Sequence, residues 1–184
     1  MTGFLQKGEP PMRCVAKAAM LVVGSLLFVC PAWAREVHVY TDREIRPALL
    51  EFLHGAEKSI DVEMYVLTDA EVIDALERAE QRGVQVRMTL DPNQQGNQKH
   101  IERLKQHGIE VKWFPINKPA QMHRKLAIVD GTKLFAGSVN WTHNGLARNE
   151  ELMLLVEDPE IAKKLDEIFA GDWSQSWLGH QREY

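Results

Sequence analysis

The sequence predicts an α/β fold, a mixed and largely parallel β-sheet flanked by helices on both faces. Three features predict it. Short segments with alternating or continuous apolar patterning recur between segments that carry apolar residues at helical spacing. The connections are short, which suits strand–helix–strand units packed on one sheet. The 184 residues amount to one domain's worth of chain, with no repeat at solenoid or propeller periods.

Residues 1–34 stand outside that pattern. Lys7, Arg13 and Lys17 precede the apolar run Ala18–Cys30, and Pro31 leads into the small-x-small site Ala32-Trp33-Ala34. This is the order of a secretory signal peptide, with cleavage expected after Ala34. The run is shorter than the roughly 20 apolar residues a spanning helix needs. The expected product is therefore exported, periplasmic or secreted, with no stable membrane anchor after cleavage. Translation from Met12 would give a more compact version of the same segment.

The folded region, residues 35–184, then reads in order. Glu36–Tyr40 alternates as a short strand, and Leu49, Leu50 and Leu53 mark a helix over Ile45–Ala56. Ser59–Val66 is a second strand. Thr68 with Glu71 forms a capping box that opens a helix carrying Val72, Ile73, Leu76 and Ala79 and ending before Gly83. Val84–Leu90 is a third strand, stopped by Asp91-Pro92 and followed by a polar loop over Asn93–Gln98. A helix over Lys99–Gln106 and a strand over Glu110–Phe114 complete the first half. After the Pro115–Pro119 approach, Lys125–Val129 is a buried strand, Asp130-Gly131 a hairpin turn and Lys133–Ala136 its partner. Glu151–Val156 is a further strand, and Pro159 opens a terminal helix with Ile161, Leu165 and Ile168 facing inward.

Charge limits the partners. Without residues 1–34, the 22 basic and 26 acidic side chains fall to 19 and 25, and the net charge to −6, because Lys7, Arg13, Lys17 and Glu9 leave. Cys14 and Cys30 leave too, so neither a disulfide nor a thiol nucleophile remains. An acidic domain lacks the broad basic surface of a nucleic-acid binder, and any polyanion must be held by a local cluster.

Such a cluster is present. His123, Lys125 and Asp130 stand in an H-x-K-x4-D spacing, followed by Gly137, Ser138 and Asn140 as G-S-x-N. His123 and Lys125 are two apart at the entry of one strand and so point to the same face. Gly137, Ser138 and Asn140 leave the end of the strand paired with it. Gly137 permits a close backbone approach, while Ser138 and Asn140 offer neutral hydrogen bonds to an oxyanion.

These residues resemble the HKD signature of the phospholipase D superfamily. The likeness extends through SIDVEMYVLTD, ALERAEQRGVQVRMTLD and NEEL, covers most of residues 36–178, and is strongest toward the short bacterial endonucleases with one motif per chain and an export signal. It implies a single phospholipase D-like catalytic domain over residues 35–184, an α/β/α sandwich. It further implies a phosphodiesterase that needs no metal or other cofactor, and a homodimer whose one active site takes a motif from each subunit. His123 would be the nucleophile that forms a phosphohistidine. Lys125, Ser138 and Asn140 would bind the substrate phosphate, and Lys125 and Asn140 would stabilise its transition-state charge. Glu151 would accept from the far ring nitrogen of His123 and fix its tautomer, with Glu150 as the alternative if the strand register shifts by one. Asp130 and Gly137 would support the site structurally. Glu63 departs from the family, whose members often carry a small or apolar residue there.

The need for two histidines is physical. Displacement at a phosphodiester requires a nucleophile on one side and a proton donor for the leaving oxygen on the other, and a two-fold axis supplies the second His123. Arg124 and Lys118 are expected to add positive charge nearby. The implied substrate is DNA, with RNA as a second, cleaved with little sequence preference. A phospholipase D or cardiolipin hydrolase acting on phospholipid is the alternative, with Met122 and the aromatic run DWSQSWLG as its features.

Overall fold

The computed structural model describes residues 35–178, so the signal peptide expected over residues 1–34 lies outside the described residues. The elements run β1 (Glu36–Thr41), a 3-10 turn (Asp42–Glu44), α1 (Ile45–His54), β2 (Ser59–Met64), α2 (Ala70–Gln81), β3 (Gln85–Leu90) and α3 (Gln95–Gln106). They continue with β4 (Glu110–Trp113), β5 (Lys125–Val129), β6 (Lys133–Gly137), α4 (His143–Ala147), β7 (Leu152–Glu157) and α5 (Pro159–Gln175). Among the described residues no helix is long and apolar enough to cross a membrane.

All seven strands form one mixed sheet in the order β1-β7-β6-β5-β2-β3-β4. The expectation of a mixed sheet holds, but its parallel part is smaller than expected. β2, β3 and β4 pair in parallel, whereas β1–β7, β7–β6, β6–β5 and β5–β2 are antiparallel. Besides the expected β5–β6 hairpin, β5 runs antiparallel to β2, and β7 antiparallel to both β6 and β1. Asp130 (φ 54°) and Gly131 (φ 63°) both take the left-handed conformation that a tight turn of this hand requires, and the chain reverses instead of crossing over.

Strand alternation separates two cores. Ala127 and Val129 of β5 join Val62, Met88, Phe135 and Met153 beneath α1, α2 and α3, while Leu126 and Ile128 join Leu134 and Val156 beneath α5. Helices therefore cover both faces.

Three local expectations are corrected. Asp69, not Thr68, caps α2: its carboxylate accepts from Val72 N–H at 3.3 Å and is gripped by both Arg46 nitrogens, at 3.0 and 2.8 Å. The polar stretch Asn93–Gln98 is mostly the first turn of α3, because Asn97 is buried there with its amide fully bonded. The inward stripe of α5 is Ala162, Leu165, Phe169 and Trp173, whereas Ile161 and Ile168 are 46% and 41% exposed.

Every strand's site-side end lies at one edge of the sheet. The carboxyl ends of β1, β2, β3, β4 and β6 meet there with the amino ends of β5 and β7, as the registers require.

Candidate active site

Lys125 is the first residue of β5, opposite Met64 of β2. Continuing the register from Leu126–Ala136 by one pair sets it beside Gly137 of β6. His123 is two residues earlier and shares its direction. The Lys125 Nζ lies 2.9 Å from His123 Nδ1 and donates to the His123 carbonyl at 2.8 Å. An ammonium only donates, so Nδ1 accepts and Nε2 carries the ring proton in this arrangement. Lys125 is buried while His123 is exposed. Burial lowers the Lys125 pKa, and the Glu151 carboxylate opposes that shift.

Gly137 decides how closely β6 and β7 meet. A Cβ there would stand 2.2 Å from the Leu152 carbonyl oxygen and 2.7 Å from the Met153 sulfur. Without one, Ser138 N–H donates to the Leu152 carbonyl at 3.0 Å, and its hydroxyl accepts from Leu152 N–H at 3.1 Å and donates to the Glu151 carboxylate. Asn149 Nδ2 donates to the other Glu151 oxygen at 3.2 Å. Asp42 fixes the Glu151 backbone, accepting from its N–H at 3.0 Å and donating to its carbonyl at 3.1 Å.

Asn140 follows in the same loop. Its Oδ1 is buried without a hydrogen-bond partner among the described residues, and its amide NH2 offers two donors. Gly145 of α4 lets the next turn sit against it, since a Cβ at Gly145 would fall 2.3 Å from the Asn140 carbonyl oxygen.

His123, Lys125, Gly137, Ser138, Asn140 and Glu151 thus share one end of the sheet. His123–Lys125 and Ser138–Glu151 are direct contacts, and Lys125 and Glu151 attract each other across them. Asp130 is at the opposite end of β5. There its carboxylate accepts from the N–H groups of Glu57, Lys58 and Ser59 at 3.1, 2.7 and 3.0 Å. Burial would raise its pKa, but these hydrogen bonds outweigh it and hold it below the usual carboxylate value.

Two expected contacts differ. No hydrogen bond joins Glu151 to His123 among the described residues; the glutamate is engaged by Ser138 and Asn149, and Lys125 occupies His123 Nδ1. Glu150 is exposed. Arg124 turns away from His123, bonds Glu63 at 2.7 Å and Asp172, and lies over the Phe114 ring at 5.6 Å. Its charge is balanced there by the two carboxyl groups.

Three residues at the site went unread in the sequence. The Tyr65 ring lies 4.4 Å from the His123 ring and 5.0 Å from Lys125 Nζ. Asp91 is fully buried and accepts from Met122 N–H and Asn93 N–H, each at 2.7 Å. Its pKa is raised by burial, against the pull of those two N–H groups and of His123. Asn97 ties Tyr65, Leu67 and Asp91 together. A carboxylate at the carboxyl end of a parallel strand was the one available signal, carried by Asp91. Among the described residues, no group of three His, Cys, Asp or Glu side chains is placed to hold a metal ion.

The family model described as "Cardiolipin synthase, PLD-like domain" matches residues 49–173. The chain is 34% identical to a mitochondrial cardiolipin hydrolase of Homo sapiens over 128 residues, 69% of this chain and 50% of the relative. It is 34% identical to a phospholipase D of Rickettsia conorii over 128 residues, 68% of this chain and 58% of that protein. The chain spans about half the length of these relatives. The crystal structure of Nuc, a phospholipase D family member from Salmonella typhimurium, superposes with a TM-score of 0.73 at 24% identity, covering 80% of this chain and 99% of that one. NucT from Helicobacter pylori gives 0.71 at 22% identity, covering 77% and 98%. At those identities the two structures establish the fold.

Proposed function

The chain belongs to the phospholipase D-like family, and on that premise we propose that it is an exported, metal-independent phosphodiesterase, an endonuclease cleaving DNA, and RNA as well, at a site shared by two subunits. One observation carries the reading: an exposed imidazole, His123, in contact with a sheltered ammonium, Lys125, at the sheet edge where the Ser138–Glu151 pair also ends.

The chemistry follows from those groups. A phosphodiester entering the site brings non-bridging oxygens that compete with His123 Nδ1 for the Lys125 ammonium. Once Lys125 turns to the phosphate, the imidazole can hold its proton on Nδ1 and present the Nε2 lone pair to phosphorus. The new N–P bond forms as the P–O bond to the leaving group breaks. A protonated His123 from the second subunit gives its proton to the departing oxygen, then, as a neutral base, takes one from water for hydrolysis of the phosphohistidine. Lys125 and the Asn140 amide stabilise the charge on the non-bridging oxygens.

Phospholipid is the second reading, and one observation favours it: Leu152, beside Glu151, is 46% exposed, with Val37 and Val39 of the neighbouring strand more than half exposed. The two relatives above are named for cardiolipin and phospholipid hydrolysis.

One preparation of the protein, given single-stranded DNA, duplex DNA, RNA and cardiolipin vesicles in excess chelator, tests both readings. Cleavage of nucleic acid is expected to persist with chelator. Activity that is lost and returns with added metal refutes the two-histidine mechanism, and turnover of vesicles alone favours the lipid reading.

A further inference from the structure

We infer that Tyr65 is a positioning residue of this site, whose ring fixes the His123 imidazole and whose π face holds the Lys125 ammonium beside it. The inference rests on the reading of His123 and Lys125 as the reacting pair.

Lys125 poses the problem that Tyr65 answers. It is a buried cation, 5% exposed, with no carboxylate in hydrogen-bond contact; its polar partners are His123 Nδ1 and the His123 carbonyl. A desolvated ammonium without a contacting ion pair is disfavoured unless other groups face it, and the Glu151 carboxylate acts on it only from beyond contact distance. The Tyr65 ring faces it, with Nζ 5.0 Å from the ring centroid, within the range of a cation–π contact. The same ring is 4.4 Å from the His123 ring at an interplanar angle of 56°. One side chain therefore touches both members of the pair.

The Tyr65 backbone is tied on both sides. Tyr65 N–H donates to the Arg124 carbonyl at 3.1 Å, and its own carbonyl accepts from Asn97 Nδ2 at 2.9 Å. Asn97 also donates to the Asp91 carbonyl at 3.0 Å and accepts from Leu67 N–H at 2.9 Å. Asp91 in turn accepts from Met122 N–H at 2.7 Å. The backbone on each side of His123, at Met122 and Arg124, is thus tied to the network that places Tyr65. It is the ring, not the phenol, that makes both contacts.

The test replaces the ring and reads Lys125 directly. In protein carrying 13C-labelled lysine, the Lys125 side-chain signal is assigned by its loss in Lys125→Met and followed against pH in wild type, Tyr65→Leu and Tyr65→Phe. Tyr65→Met serves as a second ringless variant if leucine does not fold. The ringless variant is expected to move the Lys125 midpoint down by about half to one pH unit, the scale of a cation–π contact. It is also expected to lower kcat about tenfold with little change in KM, and to move the alkaline limb of the kcat profile down with Lys125. Tyr65→Phe is expected to restore all three. A folded ringless variant whose Lys125 midpoint stays at the wild-type value overturns the inference, even if kcat falls. A wild-type protein that cleaves no phosphodiester refutes the functional reading instead, and the titration still decides the role of Tyr65.

Discussion

Lys125 is a sheltered charge and His123 an exposed ring beside it, and Gly137 sets how closely β6 and β7 meet next to them. Replacing Lys125 by Met removes the cation proposed to face the phosphate; on that proposal kcat is expected to fall by about 10²–10³, the scale of losing one electrostatic stabiliser, in plasmid-nicking or oligonucleotide assays. Gly137→Ala acts by geometry. Its Cβ meets main chain at 2.2 Å, which a side-chain rotation cannot relieve, so the β6–β7 pairing must shift. A loss of about 1–3 kcal/mol in urea unfolding is expected, together with loss of turnover, because Ser138 and Glu151 move with the strand. A fully stable, active alanine variant would contradict the close approach. At this scale the sequence was informative wherever neighbours in space are near in the chain: His123 and Lys125 two apart, Gly137, Ser138 and Asn140 within four. It was silent on Asp91 and Met122, which are 31 positions apart, and on Asn97 and Tyr65, 32 apart, since nothing in an isolated polar residue says whose backbone it will satisfy.

Helix α5 shows why a correct element can carry the wrong face. Ile161, Leu165 and Ile168 have helical spacing and so do Ala162, Leu165, Phe169 and Trp173; the heavier, aromatic stripe takes the sheet, and the isoleucines are left partly in water. Phe169→Ala is expected to cost about 3–5 kcal/mol and Ile168→Ala about 0.5 kcal/mol in denaturant unfolding. Equal losses would place the helix in the other phase. Beneath the same helix, β2 presents Glu63, which is completely buried against Arg124 and Asp172. Burial pushes its carboxyl up to about 7, opposed by Arg124 and reinforced by Asp172. The folded state therefore keeps a proton that the unfolded chain releases near the ordinary glutamate value. Its stabilisation is full below about pH 4.5 and is lost as pH rises to about 7. Urea unfolding is expected to show wild type losing on the order of 1–3 kcal/mol across that window and Glu63→Gln losing markedly less. Asp130 has the opposite sign and acts only below the ordinary aspartate value, so it does not mask the effect.

For the whole molecule, the proposed pairing of two chains is open to a count. With free exchange between wild-type and His123→Ala subunits, activity is expected to follow the square of the wild-type fraction, and a linear fall would mean self-sufficient subunits. The charge argument also changes at this scale. Arg124 is committed to Glu63 and Asp172, so in the proposed site the phosphate would be held by Lys125 and the neutral donors around it. By itself the sequence determined the order of the seven strands and of α1, α2, α3 and α5, which follow from periodicity, and the H-x-K and G-S-x-N motifs, whose likeness marks the family. Only the tertiary structure decided that β5 also pairs antiparallel with β2 and β7 with both β6 and β1, that α4 forms after Asn140, that α3 begins within a polar stretch, and that Tyr65, Asp91 and Asn97 converge behind His123. Those outcomes depend on which distant backbone groups are buried together, and each buried donor or acceptor must then find its partner wherever the fold has brought one.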